Sequence, residues 1–265
     1  MNILDTIIEH KRAEVEKRKN NVSIAELKRS ESYGRHTLSL KKFLLDNTKT
    51  GIIAEFKRKS PSKGIINAEA DVVSVTGTYT SNGASGLSVL TDEEFFGGST
   101  ADLNKARVNE IPILRKDFII DEYQLLESKA MGADVILLIA ACLTPHRVKE
   151  LASFARSLQM EVLLEIHTGE ELQHICDEVD LVGVNNRDLR TFSVDINRSV
   201  ELSRKIPADK IKIAESGIDD VVKIRLLKEA GFKGFLMGER FMKAENPGQA
   251  FEQFVEQLKQ VYDEH

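Results

Sequence analysis

Tryptophan is absent from this sequence, and cysteine occurs only twice, at Cys142 and Cys176. Two cysteines are too few for a disulfide framework. Both sit in apolar or helical surroundings and are expected as packed thiols. Long hydrophobic runs are also missing. None approaches the roughly 20 residues needed to cross a bilayer, so no membrane partner is expected. Met1 to Lys19 is amphipathic and charged, without the continuous apolar core of a signal peptide. The expected compartment is therefore cytoplasmic. Charge of one sign is lacking too: the formal net charge is -5, which offers no electrostatic footprint for nucleic acid. The six histidines show no metal-ligand spacing, and no metal site is expected. His167, two residues past Glu165, reads as an exposed loop residue.

What the chain does have is rhythm. Residues 2–18 place apolar positions at helical spacing, with Asn2 or Asp5 available as a cap. Short helices are expected through Ile24 and Leu27, and through Leu40, Phe43 and Leu44. From Gly51 onward, β-rich runs fall near 51–56, 86–90, 111–115, 134–139, 160–165, 180–185, 211–214 and 234–237. Between each pair there is room for one helix, for example Glu122 to Met131, Pro145 to Leu158, Val194 to Arg204 and Asp219 to Ala230. A last helix takes Pro247 to Tyr262. Glycines 83, 132 and 231 follow helices directly, where a left-handed cap suits them. Strands alternating with helices imply parallel pairing. The length of 265 residues, with no linker, favours one closed (β/α)8 TIM barrel, an α/β fold spanning 1–265. Residues 1–48 would form a helical extension packed on it. One segment fits poorly. Asp71 to Ser81 should be the first barrel helix, yet it is rich in valine, threonine and glycine, which are weak helix formers.

In such a barrel the active site lies at the C-terminal strand ends, and polar residues collect there. Glu55 and Lys57 leave the first strand two positions apart, so both point to one side. That pair fits proton transfer and anion binding, and it fits a strand-end salt bridge equally well. Arg115-Lys116-Asp117 ends the third strand, Glu165 the fifth, and Asn185-Asn186-Arg187 the sixth. Glu215-Ser216-Gly217 ends the seventh and Gly238-Glu239 the eighth. Small residues at the last two exits let backbone N–H groups approach an anion, which points to a phosphate.

These segments, from Glu55-Phe56-Lys57-Arg58-Lys59-Ser60-Pro61-Ser62 through Leu114-Arg115-Lys116-Asp117-Phe118 and Gly183-Val184-Asn185-Asn186-Arg187 to Ala214-Glu215-Ser216-Gly217 and Gly238-Glu239, resemble the indole-3-glycerol phosphate synthase family. The resemblance implies closure of an indole ring from a 1-(2-carboxyphenylamino)-1-deoxyribulose 5-phosphate, with loss of CO2 and water and no cofactor. It implies Lys116 as general acid in ring closure, Glu165 and Glu55 as catalytic carboxylates, and Lys57 as the lysine that holds anionic groups. Asn185 and Arg187 would orient the substrate. Phe118 and Leu137 would flank the aromatic ring, with Leu236 and Glu215 also lining the site, and Ser60 would order the first loop. Ser216, Gly217, Gly238 and Glu239 would hold the phosphate. Arg240 stands where the family has a small residue and is expected to point outward. A monomer binding a phosphorylated small molecule is expected. A phosphosugar isomerase on the same barrel is the alternative enzyme, but its pathway sibling uses a cysteine and an aspartate, and neither cysteine here stands at a matching first-strand position. A non-catalytic phosphate binder is opposed by the intact set of acids, bases and amide. Lys57, Arg58, Lys59, Lys63, Arg115, Lys116 and Arg187 are expected to gather positive potential at one rim.

Overall fold

The computed structural model describes residues 3–188 and 193–263; the proposed Asn2 cap lies outside them. Its centre is a closed barrel of eight parallel strands. In chain order these are β1 (Ile52–Phe56), β2 (Gly86–Leu90), β3 (Ile113–Lys116), β4 (Val135–Ile139), β5 (Glu161–Ile166), β6 (Leu181–Asn185), β7 (Ile211–Glu215) and β8 (Gly234–Met237). Each pairs with its sequence neighbours, and β8 closes on β1 with Ile53 opposite Leu236. Strands covered on both faces read as unbroken apolar runs. Val135–Ile139 is such a run, buried at every position.

Helices cover the outside: α4 (Val72–Ser81), α5 (Thr100–Ala106), α6 (Glu122–Met131), α7 (Pro145–Ser157), α8 (Ile196–Ser203), α9 (Val221–Glu229), α10 (Glu239–Met242) and α11 (Pro247–Asp263). The doubtful α4 does form. Asp71 accepts the Ser74 N–H at its start, and Thr76, Thr78 and Thr80 each return a hydroxyl to the carbonyl four residues back. Val72, Val75 and Tyr79 bury the inner face, so packing overrides propensity. Alternation breaks in one place. After β5 there is a short 3-10 turn, Glu170–His174, instead of an α-helix. Only residues 167–180 separate β5 from β6, and Gly169 offers no side chain to cap a start.

The N-terminal extension spans the barrel from end to end. α1 (Ile3–Asn21) buries Ile7, Lys11 and Val15, one residue per turn, across the C-terminal rim. The chain then descends past α6: α2 (Ile24–Leu27) follows, and Arg35 pairs with Asp134 at the foot of β4. α3 (Leu40–Leu45) ends the extension by pushing Leu40 and Leu44 into the barrel floor. A Cβ at Gly86 would lie 2.7 Å from Leu40, leaving this plug no room; one at Gly234 would meet Ile213 first, at 2.8 Å, and press on Leu44 at 3.3 Å. Each buried leucine contributes about 1.5–3 kcal/mol by leaving water. No helix of the described residues is long and apolar enough to cross a membrane.

Candidate active site

Strand pleating sends alternate residues into the barrel. Ile53, Leu114, Leu163 and Ile213 fill the lower interior. One step up, inward positions change character: Glu55 lies opposite Ser88, Glu165 opposite Gly183, and Asn185 opposite Glu215. A cavity of about 750 Å³ opens above this polar layer.

Lys116 sits at the centre of the layer. Its Nζ lies 2.9 Å from Glu165 Oε2 and 3.5 Å from Glu215 Oε2. Asn185 Nδ2 donates to the other oxygen of Glu165 at 3.2 Å, and His167 Nε2 lies 3.3 Å from that same oxygen. Across the floor, Lys57 Nζ is 2.6 Å from Glu55 Oε1. Two glycines make this crowding possible. An alanine methyl at Gly183 would overlap the Glu215 carboxylate, and one at Gly238 would come within 2.7 Å of Glu55 Cβ.

Electrostatics separate the three central groups. Burial disfavours the Lys116 ammonium, but the carboxylates of Glu165, Glu215 and Glu55 outweigh it and hold its pKa above the ordinary lysine range. Burial also opposes ionisation of Glu165, yet Lys116 and His167 overcome it and bring that carboxyl down to about 2. Glu215 goes the other way. Burial pushes it up to about 8 against the pull of Lys116, and the Glu165 and Glu55 charges add to the rise. The same layer thus favours the carboxylate form of Glu165 beside the Lys116 ammonium and the protonated form of Glu215.

The structure brings every site candidate named from the sequence to the wall of this one cavity: Glu55, Lys57, Ser60, Lys116, Phe118, Leu137, Glu165, Asn185, Arg187, Glu215, Ser216, Gly217, Leu236, Gly238 and Glu239. Ser60 belongs to a small antiparallel hairpin, opposite Gly64, at the cavity mouth. Ser216 and Gly217 both adopt left-handed backbone, with φ of 66° and 72°. For serine that conformation is uncommon, and here the Asn186 amide donates to its carbonyl at 3.1 Å. Arg187 pairs with Glu239 at 3.1 Å across the mouth. Arg240, expected to point outward, lines the mouth instead, its Nε donating to the Asp219 carbonyl.

Other expectations change. His167 is not an exposed loop residue: it is 7% exposed. Glu171 accepts its backbone N–H and folds the chain back over the ring. Arg115 does not face the rim; it points out of the barrel, fully buried, onto Asp117, Ser128 and the Gln124 carbonyl. Arg58 likewise turns outward, pairing with Asp102 of α5. Both flank an inward lysine, and the two-residue period of a strand sends neighbours to opposite sides. Lys59, also expected at the rim, is not on the cavity wall and donates to the Glu94 carbonyl. The positive face of the cavity is thus drawn from Lys57, Lys63, Lys116 and Arg187, joined by Lys223, Arg240 and Lys243.

Sequence reading missed the apolar end of the wall. Ile3, Leu4 and Ile7 of α1 line it, together with Leu90 and Phe96. The stripe of α1 signalled that the helix covers something, but not that it covers the site. Among the described residues, no group of three or more histidine, cysteine, aspartate or glutamate side chains is placed to hold a metal ion.

Comparison with known proteins agrees with this geometry. Residues 4–254 match the family model described as indole-3-glycerol phosphate synthase. A protein of that name from Bacteroides thetaiotaomicron is 47% identical over 97% of this chain and 99% of its own length. One from Acidovorax sp. is 42% identical over 95% of this chain and 98% of its own. Among solved structures, the tryptophan synthase alpha subunit of Legionella pneumophila superposes with a TM-score of 0.61, covering 85% of this chain and 98% of its own at 14% identity. That likeness speaks for the barrel fold alone.

Proposed function

The chain belongs to the indole-3-glycerol phosphate synthase family of ring-closing, decarboxylating lyases in tryptophan biosynthesis, and from that premise we propose how its cavity divides the reaction. The observation that carries the reading is Lys116, an ammonium held at the cavity floor between Glu165 and Glu215.

The aromatic carbon bearing the carboxylate attacks the ketone carbon. The carbonyl electrons move to oxygen, and Lys116 gives that oxygen a proton. An ammonium aimed at a developing alkoxide stabilises charge that exists only in the transition state. Attack leaves an iminium conjugated to the carboxylate-bearing carbon. When CO2 departs, its bonding electrons flow into that iminium and the benzene ring is restored. The substrate is its own electron sink, so no cofactor is called for. Loss of water then needs an acid at the hydroxyl and a base at the neighbouring methylene. Lys57 supplies the first proton, and Glu165, kept ionised, receives the second. Glu55 holds Lys57 in place, and Asn185 orients Glu165. Glu215, whose burial favours its protonated form, keeps a second negative charge away from the departing carboxylate.

The substrate's two ends need different walls. Ser216, Gly217, Gly238 and Glu239 receive the phosphate through backbone N–H groups. Phe118, Leu137 and Leu236 bound the aromatic ring. Arg187 reaches the substrate carboxylate by exchanging its bond to Glu239. One chain supplies every group in this scheme, which supports a monomer as the working unit.

The test uses the missing tryptophan. Indole fluorescence from the product would rise over a background free of protein indole. Lys116→Met is expected to lower kcat by roughly 10²–10⁴-fold, the usual worth of a positioned general acid, while substrate affinity persists. Normal turnover by this variant would overturn the assignment of Lys116.

A further inference from the structure

Lys11 is a lysine with no exposed surface, carried by a helix that lies outside the barrel. Such residues are rare unless paired, and this one is paired three times. Its Nζ lies 2.8 Å from Asp92 Oδ2, 2.9 Å from Asp117 Oδ1 and 2.7 Å from Glu14 Oε2. Asp92 follows β2, and Asp117 follows β3. Burial works against the Lys11 charge, but Asp117 and Asp92 outweigh it and hold the ammonium above its ordinary range.

What the two aspartates do with their remaining capacity gives the cluster a purpose. Asp92 Oδ1 accepts the N–H of Phe95 at 2.8 Å and of Phe96 at 3.3 Å. Asp117 Oδ1 accepts the N–H of Phe118 at 2.8 Å. Phe96 and Phe118 both line the cavity, with ring centroids 6.0 Å apart. Ile7, one helical turn before Lys11, lines the cavity beside them. One ammonium therefore joins three separate pieces of the apolar wall: the loop of Phe96, the loop of Phe118 and α1. The phosphate end, built from β7 and β8 exits, receives nothing from it.

We infer that Lys11 is a positioning residue for the aromatic end of the substrate, fixing the spacing of Phe96, Phe118 and the α1 wall without touching the reacting atoms. The inference rests on the reading of this cavity as the substrate site. α1 also meets these loops through the His10–Phe95 ring contact and the Lys19–Asp121 pair, but Lys11 pairs with both strand exits at once.

The test is a split between the two ends of the site. Removing Lys11 alone leaves two buried carboxylates facing each other, so Lys11→Met is compared with Lys11→Met/Asp92→Asn, which removes one charge of each sign and leaves Asp117 its Arg115 partner. Glu14→Gln, which alters only the most exposed partner, is the control. In the double variant, KM is expected to rise about tenfold or more with a smaller change in kcat, the pattern of lost binding rather than lost chemistry. Inhibition by 2-aminobenzoate should weaken in step with KM, and inhibition by inorganic phosphate should stay unchanged. An unchanged KM would overturn the inference. Equal weakening of both inhibitors, or a double variant that no longer folds, would also overturn it, since each assigns Lys11 to the fold at large. Failure of the unmodified protein to bind 2-aminobenzoate would instead count against the cavity reading itself.

Discussion

The two ends of the barrel use the same device for opposite purposes. At the floor, Gly86 and Gly234 clear space that Leu40 and Leu44 fill. At the top, Gly183 and Gly238 clear space that the Glu215 and Glu55 side chains fill. An inward glycine is therefore neither a stability feature nor a site feature by itself. What enters the space decides. Leucine leaving water is favourable without further conditions. A carboxyl in the same kind of space must change its protonation state or find a cation: burial drives Glu215 toward its protonated form even beside Lys116, while Glu55 pairs with Lys57. The N-terminal extension shows the same division. Its last helix seals the floor with apolar side chains, and its first meets the rim through a buried ammonium.

That comparison can be broken in order of effect. Gly183→Ala should be the most damaging small change. The added methyl overlaps the Glu215 carboxylate and displaces it from Lys116, and a misplacement of about 1 Å can cost 10²-fold in rate. We expect kcat to fall by about that factor while the denaturation midpoint moves little. Retained kcat would show that Glu215 need not sit where it does.

At the floor the outcome should invert. Leu44→Ala is expected to cost about 2–3 kcal/mol of stability, as for other buried leucines. Its kcat should be unaltered, because Leu44 lies a full barrel layer below Lys116. Denaturant titration and product fluorescence separate the two effects. A large loss of kcat would mean that floor and rim are coupled.

The subtlest effect is a pH dependence. Glu215 is raised from an ordinary 4.5 to about 8 in the folded protein. Between those values the native state binds a proton that the unfolded chain has lost. The stability this gives is complete below about pH 4.5 and disappears as pH rises through about 8. Glu165 behaves oppositely: lowered to about 2, it adds stability above pH 4.5 that is lost on acidification. His167, held above its ordinary value, adds to the loss near neutrality. Glu215→Gln should therefore show a shallower decline in stability from pH 5 to 8 than the unmodified chain. Parallel curves would show that Glu215 is ionised throughout.

Much of this molecule follows from short-range pattern. The alternation of apolar strand runs and helices fixes the barrel, because each segment declares its period within a dozen residues. Strand ends carrying Lys116, Glu165 and Asn185 mark the rim for the same reason, and strand parity alone suffices to turn Arg58 and Arg115 away from it. The 3-10 turn after β5 was hidden, because its composition permits a helix and only the short distance to β6 forbids one.

Sequence by itself thus determined the fold, the end of the barrel that does chemistry, and the family to which the chain belongs. Tertiary structure alone decided the charge states and the walls. Whether Glu215 is neutral depends on Lys116, Glu165 and Glu55, which come from three other strands. Whether His167 is buried depends on Glu171 turning back over it. Whether α1 covers the site depends on partners distant in sequence, such as Asp92 and Asp117 for Lys11, more than 80 positions away along the chain. Periodicity is a property of neighbours in sequence, whereas a pKa and a cavity wall are properties of neighbours in space.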